Sequence, residues 1–294
     1  MAKNILTMRD LGADDAWLLL QQANGIPDPR ERSRFMDGRT AGMWFAEDDI
    51  IARLCVTGAV RQMGGQVVFI SPGKWIEDMN RFPIELTPIF QYYIDCAYIC
   101  GIDVSNVSEK ELYTYSIPII NLGCREESPA RALADLTCIL RLSGQLNGKN
   151  LAWIGTPNGT LYSIMQAAQY FDFSIRLAVP RAELIDKLAF DATERFSSHT
   201  IVTNSIQDAL KGADYICVGC DSGFTEEERN TWALDDAKLK CASDAYLMFS
   251  AQRIAETLPV PSHIMEGSKS LVVMQAENRL RIHKRMLHWV FDEN

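Results

Sequence analysis

Short apolar runs alternate with helix-period stretches along most of this chain, and that alternation narrows the fold more than any other feature. Residues 13–24 read as a helix. GRTAGMWFA (38–46) leads into a buried strand, and 50–63 resumes a helical period. QVVFIS (66–71) is a second strand, set off by the Gly64-Gly65 break. DCAYICGI (95–102) and SIPIINL (116–122) read as two more, with SEKELY as a short helix between them. A long amphipathic helix follows from Ala130 to Leu146, closed by Gly148, a frequent helix terminator. A second alternation then begins. LAWIG (151–155), SIRLAVP (174–180), TIVTN (200–204) and YICVG (215–219) are strands, with helices TLYSIMQAAQYF (160–171), RAELIDKLAF (181–190) and SIQDALKGA (205–213) between them. AYLMFS (245–250) and SLVVM (270–274) are further strands, and a basic helix spans 277–291. Near-continuous apolar strands alternating with helices imply parallel sheets covered on both faces. The expected architecture is α/β: two doubly wound parallel-sheet domains joined by a long helix. Their strand ends are expected to face one cleft, where such folds bind ligands.

Composition removes several function classes. A hydrophobic fraction of 47% with 23% charged residues suits a globular protein with a sizeable core. A net charge of −9 disfavours a nucleic-acid face. No apolar run approaches the roughly 20 residues of a membrane span, and MAKNILTMRDLGADD lacks a signal-peptide pattern. Cysteines at 55, 96, 100, 124, 138, 217, 220 and 241 lie scattered, mostly in apolar runs, which implies a reduced, cytoplasmic protein.

The local motifs are weak. WIGTPNG (153–159) lacks the glycine spacing of a dinucleotide fingerprint, although its strand-to-helix turn can present Asn158 to a ligand. Cys217-Val-Gly-Cys220 has no second ligand pair for zinc and no helix N-terminus for redox chemistry, so both read as buried structural thiols. Of the four histidines, His283 and His288 fall on the basic C-terminal helix, on a solvated or intersubunit face, and none pairs as a metal ligand or catalytic dyad. TEEER (225–229) reads as a solvated helix start. No cofactor and no metal are expected.

Eight segments in order carry a resemblance: NILTMRDL, GRTAGMWF, SIPIIN, SPARALADL, LNGKNLAWIG, LYSIMQAAQYF, CASDAYLMFSAQR and QAENR. Together they resemble the aspartate and ornithine carbamoyltransferases over nearly the whole chain, closer to the ornithine branch. The resemblance implies a carbamoyl-phosphate-type domain at 1–129, a connecting helix at 130–147, an amino-acid-type domain at 148–274 and a helix at 275–294 returning to the first domain. It also implies a homotrimer.

The chemistry-bearing motifs depart from that family. Its Ser-Thr-Arg-Thr-Arg run holds a phosphate at a helix N-terminus. Here the run reads Asp49-Ile50-Ile51-Ala52-Arg53, preceded by Asp48. A further family arginine falls on Gly101, and His-Pro-x-Gln reads Ser128-Pro129-Ala130-Arg131. The His-Cys-Leu-Pro-Arg loop reads Phe249-Ser250-Ala251-Gln252-Arg253, and the ornithine-gripping segment keeps only Ser222 and Gly223. Candidate catalytic residues are therefore the substitutes at the old reactive positions: Asp48, Asp49, Ser128 and Arg131. Candidate substrate-binding residues are Arg53, Asn158, Ser222, Arg253 and Arg279. The arginines suit a carboxylate and the aspartates an ammonium, so the expected ligand is a small amino acid or derivative rather than carbamoyl phosphate. Three readings stand: a diverged enzyme of amino-acid metabolism, an inactive sensor or partner of an active homologue, and an ornithine-type carbamoyltransferase with an unusual donor site.

Overall fold

The computed structural model describes residues 3–46, 49–70, 90–102, 117–185, 199–250 and 257–291. It divides into two compact units: Met1–Thr137 with Ala276–Asn294, and Cys138–Gln275.

The first unit is built on a four-stranded parallel sheet of order β2-β1-β3-β4, formed by β1 (Thr40–Phe45), β2 (Gln66–Ile70), β3 (Cys96–Cys100) and β4 (Ile119–Gly123). Its two inner strands and β4 are buried almost throughout, as their uninterrupted apolar runs require, whereas the edge strand β2 is partly open. The N-terminal segment lies along β4: the Ile5 amide donates to the Ile119 carbonyl at 2.8 Å, and the Asn121 amide donates to the Ile5 carbonyl at 2.8 Å. Helix α1 (Met8–Asn24) opens on a capping box between Thr7 and Asp10. Its first turn lies upstream of the expected start at 13. Gly12, at φ +66°, interrupts the helical backbone and breaks the periodicity that a sequence reading follows. Helix α2 (Ile50–Gln62) follows β1.

Helix α3 (Pro129–Ser143) begins in the first unit and ends in the second. It stops before the expected Leu146, because Gly144 takes φ +74° and the Ser143 hydroxyl donates to the Ile139 and Gln145 carbonyls.

The second unit has a five-stranded parallel sheet of order β7-β6-β5-β8-β9. Its strands are β5 (Asn150–Ile154), β6 (Ser174–Ala178), β7 (Thr200–Thr203), β8 (Tyr215–Val218) and β9 (Tyr246–Phe249). Helices α4 (Gly159–Phe171), α5 (Ile206–Leu210) and α6 (Glu226–Trp232) connect them. Ile154, Ile216, Val218, Trp232 and Leu247 belong to one buried cluster. The expected helix at 181–190 is a 3-10 turn over Ala182–Leu184; residues 186–190 lie outside the described set, as does SEKELY.

SLVVM is not a strand. Ser270 makes a single bridge to Leu247, and Val272 already belongs to helix α7 (Val272–Phe291). The Gln275 side-chain amide pairs with both backbone groups of Phe249, so the helix end is fastened to β9 where a sixth strand was expected. Further along α7, Arg281 donates to the Ile26 and Pro27 carbonyls, and Lys284 donates to those of Pro29 and Glu31. The basic character of α7 thus serves the carbonyls of one loop in its own unit. Cys217 and Cys220 are buried, and all eight cysteines are free thiols.

Candidate functional site

Where β1 gives way to α2, the chain places a carboxylate on the first free amides of the helix. Asp49 is the N-cap residue, with extended backbone at φ −116° and ψ 97°, and its Oδ1 accepts from the Ala52 amide at 2.9 Å. Its Oδ2 accepts from the Arg131 guanidinium. Both partners are nearly sealed, with Asp49 7% and Arg131 8% exposed. One turn on, Arg53 lays its guanidinium over the Phe69 ring at 4.1 Å from the centroid, a cation–π contact that directs it along β2.

Arg131 reaches Asp49 because the loop before α3 is tied to β4. Buried Asn121 donates to the Leu6 and Glu127 carbonyls and accepts from the Gly123 amide. The Ser128 hydroxyl donates to the Leu122 carbonyl at 2.9 Å. That bond uses the hydroxyl hydrogen of a candidate catalytic residue to anchor the start of the helix. At the end of β3, Gly101 sits at φ +73°, a left-handed backbone in which an arginine side chain would be strained.

Helix α7 supplies the opposite wall. Arg279 and His283, four residues apart and so on one helix face, line a small recess with Arg131, Cys55, Leu122 and Ala130. Ile51 forms part of its exposed edge. The recess has room for about one water-sized group. His283 is 4% exposed, against the solvated or intersubunit face expected for it, and its ring meets Tyr98 edge-on at 5.7 Å. Burial, then the cations of Arg279 and Arg131, push its pKa down to about 3, so the imidazole is neutral near pH 7. Among the described residues, neither His283 Nδ1 nor Arg279 Nε has a hydrogen-bond partner. His288 also departs from the expected face: it is half-buried and packs against Phe35 at 3.8 Å. Burial likewise raises the Cys55 thiol above its ordinary value.

In the second unit, Asn158 is the N-cap of α4. Its Oδ1 accepts from the Thr160 and Leu161 amides, and its Nδ2 donates to the Ser250 carbonyl at 3.3 Å. It fastens the ends of β5 and β9 together. Ser222 is exposed, and its carbonyl accepts from the Thr156 hydroxyl at 2.7 Å. Nearby, Arg181 pairs with Glu228 and donates to the Gly223 carbonyl at 2.6 Å, while Arg229 pairs with Asp221 at 2.5 Å. Asp48 and Arg253 lie outside the described residues.

The structure therefore brings Asp49, Arg131 and Arg279 around one end of the first sheet and leaves Arg53 on Phe69. Asn158 and Ser222 belong to the second unit. The residue that the sequence reading missed is His283. Its signal was present in its spacing of four from Arg279. Among the described residues, no group of three His, Cys, Asp or Glu side chains is placed to hold a metal, and no helix is long and apolar enough to cross a membrane.

Two family models account for most of the sequence. Residues 3–141 match the carbamoyl-P binding domain of aspartate/ornithine carbamoyltransferase, and residues 147–290 match its Asp/Orn binding domain. The chain belongs to the aspartate/ornithine carbamoyltransferase family. Among relatives, an ornithine carbamoyltransferase of Nitratidesulfovibrio vulgaris is 27% identical over 302 residues, covering 100% of both chains. One of Listeria innocua is 29% identical over 274 residues, covering 88% of this chain and 86% of that one. The fold is shared with the crystal structure of ornithine carbamoyltransferase from Thermus thermophilus, at a TM-score of 0.85 and 20% identity, over 99% of this chain and 100% of that one. Within the segment matched to the carbamoyl-P binding domain, Asp49 is the N-cap of α2.

Proposed function

We propose that this family member binds a small amino-acid-like ligand and does not use carbamoyl phosphate. The observation that carries the reading is the Asp49 carboxylate, which caps α2 and pairs with buried Arg131. A phosphate at a helix N-terminus draws on amide donors, the helix dipole and nearby guanidinium groups. Here a tethered anion already occupies the Ala52 amide and Arg131, and a phosphate dianion beside it would meet repulsion rather than a cradle. The positive φ of Gly101 adds to this, since the backbone at the family's further arginine position is shaped for glycine. An amino-acid-like ligand is supported by Arg279, whose planar fork suits a carboxylate, and by the match of residues 147–290 to an Asp/Orn binding domain.

The decisive experiment offers purified protein carbamoyl phosphate with ornithine or with aspartate. The expected result is no citrulline and no carbamoyl-aspartate above background. Turnover that disappears in Arg279→Ala would refute the reading and favour an ornithine-type enzyme with an unusual donor site. That alternative has one support, the full-length similarity to proteins named ornithine carbamoyltransferase. An inactive sensor is favoured by a different observation: Asp49 and Ser128 both spend their polar atoms on internal partners.

A further inference from the structure

We propose that the loop 221–225 is a strap latched shut across the crevice at the ends of β5 and β8, and that Arg181 is its latch. The strap belongs to the second unit alone and does not depend on what the first unit binds. In the second sheet the chain runs outward from β5 to β6 and β7, then returns to lay β8 and β9 on the other side of β5. The carboxyl ends of β5 and β8 therefore flank a topological switch point, the place where open α/β sheets take their ligands. Here the chain's own backbone fills that place. The Thr156 amide donates to the Cys220 carbonyl at 2.8 Å. A Cβ on Gly155 would lie 2.6 Å from the Cys220 carbonyl oxygen, so the two segments approach more closely than any residue but glycine permits.

Side chains from three directions hold the strap. From the end of β5, the Thr156 hydroxyl donates to the Ser222 carbonyl at 2.7 Å. From beyond β6, Arg181 donates to the Gly223 carbonyl at 2.6 Å and pairs with the Glu228 carboxylate. From α6, Arg229 pairs with buried Asp221 at 2.5 Å. Phe224 adds an apolar anchor, edge-on to Trp232 at 6.0 Å. Glu228 has two tasks, since it also accepts from the Thr225 amide at 2.8 Å in the capping box of α6. Arg181 thus ties the middle of the strap to the start of the helix that follows it. The Arg181 and Glu228 side chains are 35% and 22% exposed, within reach of water and salt, whereas β8 is buried at every position. A segment fastened by water-accessible polar contacts opens locally at lower cost than the buried strand it leaves.

The chain carries its own reporters. Cys220, at the foot of the strap, is buried; Cys217 lies deeper in β8 and Cys241 is exposed. The test is alkylation of the native protein with iodoacetamide, with each thiol followed by peptide mass spectrometry. In the parent, Cys220 should react far more slowly than Cys241. Arg181→Gln and Glu228→Gln should each speed its reaction roughly 5- to 30-fold, while Cys217 stays protected. Glutamine at position 228 keeps the capping box, so α6 is retained. The first variant removes a cation and the second an anion. A mere change in thiolate fraction would move the two rates in opposite directions, whereas release of the strap raises both. In about 1 M sodium chloride, where the screening length falls to roughly 3 Å, the parent should speed up and the variants should not. That arm uses the unaltered protein, so misfolding of a variant cannot decide the outcome. Cys220 as reactive as Cys241 in the parent, a rate indifferent to both substitutions and to salt, or joint acceleration of Cys220 and Cys217 would each overturn the latch.

Discussion

Replacing Asp49 by asparagine separates its two roles. Asparagine caps helices as well as aspartate does, so the amide oxygen of the new side chain would still accept from the Ala52 amide and the start of α2 would be retained. What is lost is the charge opposite Arg131, whose side chain is as sealed as that of its partner. Breaking a buried pair by removing one member costs about 3–5 kcal/mol, because the other charge stays behind unpaired. Here the remaining guanidinium would also share the recess with Arg279 and lose the only carboxylate paired with it among the described residues. Arg131→Met leaves a buried carboxylate instead, a cost of the same order. The double variant removes both charges and keeps the cap, so it should lie much nearer the parent than either single change. Such non-additivity is the signature of a direct pair.

For a unit of this size, 1 kcal/mol corresponds to roughly 2–4 °C in melting temperature. Asp49→Asn should therefore lower the transition of the first unit by about 6–20 °C, followed by scanning calorimetry, and Arg131→Met by a comparable amount. The double variant should recover most of the loss. If each single variant melts within about 2 °C of the parent and the pair is additive, the Asp49–Arg131 contact is not a buried ion pair in solution. The case for a self-supplied anion at the helix terminus would then fall.

Three further outcomes follow from the same residues. His283 has a folded pKa of about 3 against an ordinary 6.5, so the unfolded chain binds the extra proton between those values. Stability should therefore fall as pH drops from 6.5 towards 3, by up to about 5 kcal/mol from this group, and His283→Gln should flatten that part of a urea-midpoint profile; an unchanged profile would mean that His283 is not buried neutral. Asn158→Ala should cost about 0.5–2 kcal/mol through loss of the α4 cap, with faster hydrogen exchange at Thr160 and Leu161 as the local sign, and protection equal to the parent's would contradict the cap. From the family membership we expect a closed homotrimer, and sedimentation equilibrium showing a monomer at micromolar concentration would count against it.

The sheets were legible because a strand buried on both faces must be apolar along its whole length. CAYIC, IINLG and NLAWI carry little besides apolar residues, and each forms the strand read from it. SLVVM has the same character and is not a strand. Composition alone cannot separate a short apolar run from the first turn of a helix, and only the Gln275 contact with Phe249 decides it. Gly12 hid the start of α1 for a related reason, since a glycine in the left-handed region interrupts the period without ending the element.

The site was legible in part. Asp49 stood out in the sequence because the resemblance implies a phosphate-binding run there, but its partner did not, since Asp49 and Arg131 are 82 positions apart in sequence. A sequence reading sets an isolated acidic residue against solvent or ligand. In the folded chain both carboxylate oxygens accept bonds from the protein itself. His283 was read as lying on a solvated or intersubunit face because a histidine on a basic helix resembles the exposed cations around it, yet it is buried. Burial removes its charge, and the Arg279 spacing gives it a neighbour.

A tethered anion differs from a bound one in a way that bears on function. A ligand phosphate stabilises its site only in proportion to its concentration over its dissociation constant. The Asp49 carboxylate is present at every concentration, so capping of α2 and neutralisation of Arg131 do not wait for a ligand. The start of α2 therefore has an acceptor for its Ala52 amide whether or not a ligand is present.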